Sequence, residues 1–308
     1  MNKIVVIGSI NTDMVVRTNH IPAPGETILG NSFFITGGGK GANQAVAIAK
    51  LGGYAYMVGK VGSDVFGEQA ILNLQYENVD TNFVYTDTQH PSGVALIAVA
   101  DNGENSIIVA PGANSTLTAN DIEQAEQAIT QCDYVMLQLE IPIDTVAAAI
   151  ELAKKHHKKV VLNPAPAAKL DDKLLQHIDI IIPNQSETFL MTGIEVNTVE
   201  DAEKIVVWFH DKGIATVIIT LAEQGCYVSD ISFKGVSKGY KVDKVVDTVA
   251  AGDTFCGALA VALSEGKSLS DAARFANIAA ALSVTKKGAQ ASIPLRAETD
   301  VVFLSQNF

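Results

Sequence analysis

The chain has 308 residues, 48% hydrophobic and 18% charged, a balance that supports a large buried core and excludes a disordered or fibrous protein. With 22 Lys and Arg against 34 Asp and Glu, the formal net charge of −12 repels nucleic acid and anionic membrane surfaces, so neither is expected as a partner and an anionic substrate needs a local positive site. Cys132, Cys226 and Cys256 show no C-x-x-C or metal-type spacing, as expected of buried thiols in a reducing compartment.

"MNKIVVIGSI" enters a strand-like run directly, without a signal-type leader, and no apolar stretch reaches membrane-spanning length; a cytoplasmic location is expected. After the strand "KIVVIG" at 3 to 8 come "TDMVVRT" and "ETILGNSFFITG", then "SGVALIAVADNGENSIIVAPG" at 92 to 112. These read as antiparallel strands, the last a hairpin turning at Asp101, Asn102 and Gly103. Further apolar strands follow at 134 to 139, 159 to 164, 178 to 183 and 216 to 220, with helices between them, as at 142 to 157 and 198 to 212. The order predicts an α/β fold: an open, mostly parallel sheet flanked by helices, with ligands beyond the carboxyl ends of its strands. Residues 1–308 form a single domain in this reading, and segments 11–40 and 92–112 form a small β-sheet lid inserted in it. The lid's apolar residues predict pairing with a second copy in a homodimer. The alternative is that these segments are edge strands of the main sheet.

Four motifs can carry chemistry. In "GSINTD" at 8 to 13, Asn11 and Asp13 point the same way on an extended chain and suit sugar hydroxyls, or else form a solvated turn. "GGGKGANQA" at 37 to 45 is neither a Walker loop, since Gly41 follows Lys40, nor a dinucleotide fingerprint, since it does not directly follow the first strand. Its glycines admit a polyhydroxy ligand, with Lys40 and Asn43 as donors, or merely turn the chain into a helix. "PNQSE" at 183 to 187 places Asn184 and Glu187 at capping-box spacing, and the same pair can hold Mg²⁺ through its waters if a nucleotide binds nearby. In "VVDTVAAGDTFCGAL" at 245 to 259, Asp253 is either a helix cap or a general base beside an anion-binding nest made by Ala250, Ala251 and Gly252. His156 and His157, with Lys158 and Lys159, read as a solvated helix end, and no His/Cys arrangement suggests zinc.

Together, "GSINTD", "PGET", "GGGKGANQA", "QLE", "LNPAPA", "PNQSE", "DTVAAGDTF" and "KKGAQASIP" resemble, in order and over nearly the whole chain, the ribokinase family of sugar kinases, also called the phosphofructokinase-B family. The resemblance implies ATP-dependent phosphorylation of the C5 hydroxyl of D-ribose, with Asp253 as base and the N–H groups of Ala250, Ala251 and Gly252 as anion hole. It implies a sugar site at Asn11, Thr12, Asp13, Gly39, Lys40, Gly41, Ala42, Asn43, Glu140 and Asp253. ATP is implied at Asn184, at Thr220, Leu221, Ala222, Glu223, Gln224 and Gly225, and at Gly252, Asp253 and Asn277, with Glu187 positioning Mg²⁺ through water. A monovalent cation, potassium, is implied at Asp247, Val249, Ser283, Lys286, Gly288 and Ser292.

One departure stands out. Where the family's nucleotide loop reads "TLG", this chain reads "TLAEQG", with Ala222 in the glycine place. If φ must be positive there, Ala222 costs about 1 kcal/mol. The sugar motifs do not encode which hydroxyls are required, so a kinase for deoxyribose, another pentose or a nucleoside is the alternative. A non-catalytic sugar-binding regulator is a further reading that rests on Ala222 alone. A nicotinamide dehydrogenase lacks its glycine fingerprint after "KIVVIG".

Overall fold

The computed structural model describes residues 3–305. In chain order its strands are β1 (Lys3–Ile7), β2 (Asn11–Thr18), β3 (Ser32–Gly38), β4 (Tyr54–Gly62), β5 (Asp80–Asp87), β6 (Gly93–Ala100), β7 (Asn105–Ala110), β8 (Tyr134–Leu137), β9 (Lys159–Leu162), β10 (Ile180–Ile181), β11 (Thr216–Thr220), β12 (Gly225–Ser229) and β13 (Lys234–Lys238). Nine of them form one sheet in the order β13-β12-β11-β10-β9-β8-β1-β4-β5. It is parallel from β11 to β5, and β12 and β13 add an antiparallel edge. The first strand shows why its apolar run is unbroken. Alternation sends Ile4 and Val6 into one core and Val5 and Ile7 into the other, each covered by helices. Helices Lys40–Lys50, Ala251–Ser264 and Leu269–Ser283 cover the first face, and Ile143–Lys155 and Val199–Asp211 the second.

Several elements are shorter than their apolar runs. The strand expected at 134 to 139 pairs only through Leu137, and that at 178 to 183 only at Ile180–Ile181. Leu139 and Ile182 are nonetheless buried, because apolar packing continues where the ladder ends. The helix expected over 142 to 157 spans Ile143–Lys155, with Pro142 before it and His157 at φ 55° after it. Among the described residues no helix is long and apolar enough to cross a membrane.

The two expected lid segments form a separate sheet, β3-β2-β6-β7, and not edge strands of the main one. Its outer pairs are antiparallel, as expected, but β2 and β6 run parallel. The cause is topological: both leave the carboxyl ends of strands that are themselves parallel, β1 and β5. The hairpin turns where expected, with Gly103 at φ 88° and the Ala100 N–H donating to Glu104 O at 2.9 Å. Phe33, Ile35, Leu96, Ile107 and Ile108 are all at least half exposed on this sheet.

Candidate active site

The site lies where the carboxyl ends of β1 and β8 to β11 meet the start of β2 and the helices beginning at Lys40 and Ala251. Leaving β1, Ser9 donates its hydroxyl to Glu140 Oε2, which also accepts the Lys40 N–H at 3.1 Å. The chain then enters β2, where Asn11, Thr12 and Asp13 are all buried. Asn11 pairs with Gly38 and Asp13 with Thr36 across the β2–β3 ladder, so the polar residues of "GSINTD" lie against the glycines of "GGGKGANQA". The approach is tight. A Cβ at Gly38 would lie 2.1 Å from Asp13 Oδ1, and one at Gly39, whose φ is +87°, would lie 2.6 Å from the Asn11 nitrogen. Gly41 and Ala42 face inward: their N–H groups go to Ser9 Oγ and O, at 3.5 and 2.9 Å.

Sequence reasoning missed Asn114, in the short 3₁₀ segment Gly112–Thr116. Its Oδ1 accepts the Ile10 N–H at 2.8 Å, and its Nδ2 donates to Ile10 O at 3.0 Å and Asn11 Oδ1 at 2.8 Å. The Asn11 carbonyl oxygen is thereby taken, leaving its Nδ2 as donor. No local pattern in "PGANST" marks this role.

Asp253 is buried in the first turn of helix Ala251–Ser264, three residues after Ala250, the helix's N-cap residue. Its side chain makes no cap, which removes that reading. Instead Oδ2 accepts the Asn43 amide at 2.9 Å and Oδ1 the Gln44 amide at 3.2 Å. Burial raises its pKa; Lys40, Asn43 and Gln44 oppose the rise without cancelling it, and Glu140 adds to it. Asp13 is pushed up to about 7 by burial, then by Glu140 and Asp253, with Lys40 opposing. Burial works against the charge on Lys40, but Asp253, Glu140 and Glu187 outweigh it and hold its pKa above the usual value. The site is thus a cluster of acids sharing one ammonium group. Asn43 Oδ1 is buried without a hydrogen-bond partner, an acceptor facing a missing donor.

Beside Asp253 the helix start is open. Ala250 sits at φ 59°, and a Cβ on Gly252 would touch nothing within 4 Å. The Ala251 N–H reaches Thr248 O at 3.3 Å, so of the three expected nest donors it is partly engaged in the turn. Such first-turn N–H groups have no intrahelical acceptor and attract anions.

Of the expected nucleotide positions, Asn184 and Thr220 to Gly225 come together between the end of β11 and the start of β12, while Gly252 and Asp253 lie at the helix start described above. Asn184 and Glu187 make the capping box: Asn184 Oδ1 accepts the Glu187 N–H at 2.8 Å and Glu187 Oε2 the Asn184 N–H at 2.8 Å, while Asn184 Nδ2 donates to Oε1 at 2.9 Å. Burial raises the Glu187 pKa despite Asn184 and Lys40. Thr220 bridges to Asn184, and the turn Leu221 to Gly225 closes with the Leu221 N–H on Gly225 O at 2.8 Å. Within it Ala222 does adopt positive φ, 50°, while Glu223 and Gln224 are exposed. Asn277 uses its Nδ2 on Ser237 O at 3.0 Å and Ser237 Oγ at 3.1 Å, tying its helix to β13.

The expected cation positions also meet. Asp247 accepts the Val249 and Gly288 N–H groups at 3.1 and 3.0 Å, and its own N–H reaches Val284 O at 3.2 Å. Ser283 O already accepts the Lys286 N–H, Ser292 Oγ donates to Ala289 O, and the Lys286 ammonium pairs with Glu298 at 2.8 Å.

A buried acid held by amides, next to a helix start with spare N–H groups, suits the transfer of an anionic group to a hydroxyl-bearing acceptor. The family model for pfkB family carbohydrate kinase matches residues 1–296, and the chain belongs to that family. It is 48% identical over 294 residues to a ribokinase of Haemophilus influenzae, covering 96% of each chain, and 39% identical over 292 residues to a deoxyribokinase of Salmonella typhi, covering 94% of this chain and 95% of that one. Among solved structures, Arabidopsis thaliana ribokinase complexed with ribose and ATP superposes with a TM-score of 0.89 at 33% identity, covering 98% of both chains.

Proposed function

We propose that this carbohydrate kinase transfers the γ-phosphoryl group of ATP to O5 of D-ribose, with Asp253 as general base. The observation that carries the reading is the Asp253 carboxylate, buried between two amide donors and adjacent to an open helix N-terminus. As the sugar O5 forms its bond to phosphorus, its proton passes to Asp253, the bond to the β-phosphate oxygen breaks, and ADP leaves with that electron pair. A carboxylate whose pKa is raised by burial is a better proton acceptor than an exposed one. The N–H groups at Ala250 to Gly252 stabilise charge on the transferring group, since positioning and electrostatics dominate phosphoryl transfer. Asn11, Asp13, Lys40, Asn43 and Glu140 hold the sugar, and the buried Asn43 Oδ1 takes one of its hydroxyls.

Both Glu187 carboxylate oxygens already accept from Asn184, and among the described residues no group of three His, Cys, Asp or Glu is placed to hold a metal ion directly. That donor set fits Mg²⁺ held through its waters and the nucleotide phosphates. When bound, Mg²⁺ neutralises phosphate charge, which the net −12 of the chain makes necessary. The loops at Asp247 to Val249 and Ser283 to Ser292 would hold a potassium ion through backbone carbonyl oxygens, and the Lys286 ammonium is drawn off to Glu298.

A coupled assay of ADP release with ribose, 2-deoxyribose and other pentoses tests the substrate. A kcat/KM for 2-deoxyribose equal to or above that for ribose replaces this reading with the second one, which the deoxyribokinase relative supports. The exposed apolar residues of the four-stranded sheet support a homodimer that covers them. Ile108→Lys is expected to convert a dimer to monomer in sedimentation; an unchanged mass places the interface elsewhere.

A further inference from the structure

Around the Asp253 carboxylate runs a chain of amides whose direction is set from one end. Ile182 O, just past β10, can only accept, and it takes Asn163 Nδ2 at 2.9 Å. Asn163 must then turn Oδ1 toward Gln44, whose Nε2 donates to it at 3.2 Å. The same Nε2 reaches Asp253 Oδ1, and Gln44 Oε1 accepts Gln138 Nε2 at 2.6 Å. Gln44 and Gln138 are completely buried, so no solvent competes for these groups. Reversing the Gln44 amide would set its oxygen against both Asn163 Oδ1 and Asp253 Oδ1, whereas Gln138, whose Oε1 is buried without a partner, fixes no direction of its own.

We propose that Asn163 and Gln138 are positioning residues for the reaction: Asn163 fixes Gln44 as a donor to Asp253 Oδ1, Gln138 holds the other end of the same amide, and together they keep the base in one rotation and favour its charged form. Neither has a hydrogen bond to Asp253; both act through Gln44. They stand one residue beyond β9 and β8, on rigid parallel strands, which is where a small displacement of the base is best resisted. The inference rests on Asp253 being the base.

The test is a pair of double-mutant cycles on the full chain, read as kcat, ribose KM and the pH dependence of kcat. Asn163→Leu and Gln138→Met remove the two outer amides at similar volume, and Gln44→Leu removes the middle one. Each outer variant is expected to lose up to about a hundredfold in kcat, the scale of a misplaced reacting group, with ribose KM within about twofold. Combined with Gln44→Leu, neither is expected to add a further loss. The acid limb of the profile is expected to move to higher pH, because a carboxylate that loses a donor holds its proton more tightly. The other charged groups facing Asp253 remain in every variant: Lys40, Asp13, Glu140 and Glu187, with the Cys256 thiol on its own helix. Additive losses, or a kcat loss with an unmoved acid limb, overturn the proposal. Either cycle suffices if the other variant does not fold, and turnover of Asp253→Asn within tenfold of the parent enzyme marks failure of the base reading separately.

Discussion

The Asp253 carboxylate accepts the Asn43 amide at 2.9 Å across 210 residues of chain. With the base removed but the shape kept, Asp253→Asn is expected to lose about 10²- to 10⁴-fold in kcat, the range for a general base. Ribose KM should change far less. Steady-state ADP release measures both, and turnover within tenfold of the parent enzyme rules out the assignment.

Asp13 links the site to stability. Its pKa is about 7 when folded against 3.8 for an ordinary Asp. The folded state therefore holds this proton more tightly, and the group opposes folding progressively as pH rises from about 4 to about 7. Above that window the cost is complete, with an upper bound of about 4 kcal/mol for such a displacement. Asp13→Asn is expected to stabilise the free protein more at pH 8 than at pH 5 while weakening sugar binding. Urea unfolding at the two pH values decides this; a larger gain at pH 5 contradicts it.

Gly38 makes room for that carboxylate, since an added Cβ would overlap it at 2.1 to 2.3 Å. Gly38→Ala is expected to displace Asp13 and raise ribose KM at least tenfold, about 1.4 kcal/mol of binding. ATP KM should stay within about twofold. Calorimetric titration with ribose and with a non-hydrolysable nucleotide separates the two effects.

Ala222 carries φ 50°, in the left-handed region that favours glycine. Ala222→Gly removes about 1 kcal/mol of backbone strain, partly offset by the freer unfolded chain. A gain of a few tenths to 1 kcal/mol in denaturant unfolding is expected, with no loss of ATP affinity. A destabilised variant would show that the loop tolerates Ala222 without strain.

How far the site was legible depended on distance along the chain. The apolar runs predicted the large sheet because each strand carries its own burial pattern, as "KIVVIG" does. Positive φ at Ala222 was only a condition attached to the glycine of the resembled family, since an alanine by itself implies negative φ. The fate of Asp253 was not: the same Gly-Asp step serves a cap or a buried acid, and only Asn43 and Gln44, two hundred residues away, decide between them. Gln138 and Asn163 did carry a usable signal, each being the first polar residue after a buried apolar strand, at the end of the sheet where ligands bind. Asn114 carried none, since its task is to hold Ile10 and Asn11, a hundred positions earlier.

The 210-residue separation of Asn43 and Asp253 also has a meaning in time. A ribosome adding roughly 5 to 20 residues per second delivers the helix bearing Asn43 and Gln44 some 10 to 40 seconds before the carboxylate they grip. Throughout that interval the nascent chain holds two amides with no acid between them. The two amides that grip the proposed base are thus made early, and the carboxylate they await is made late.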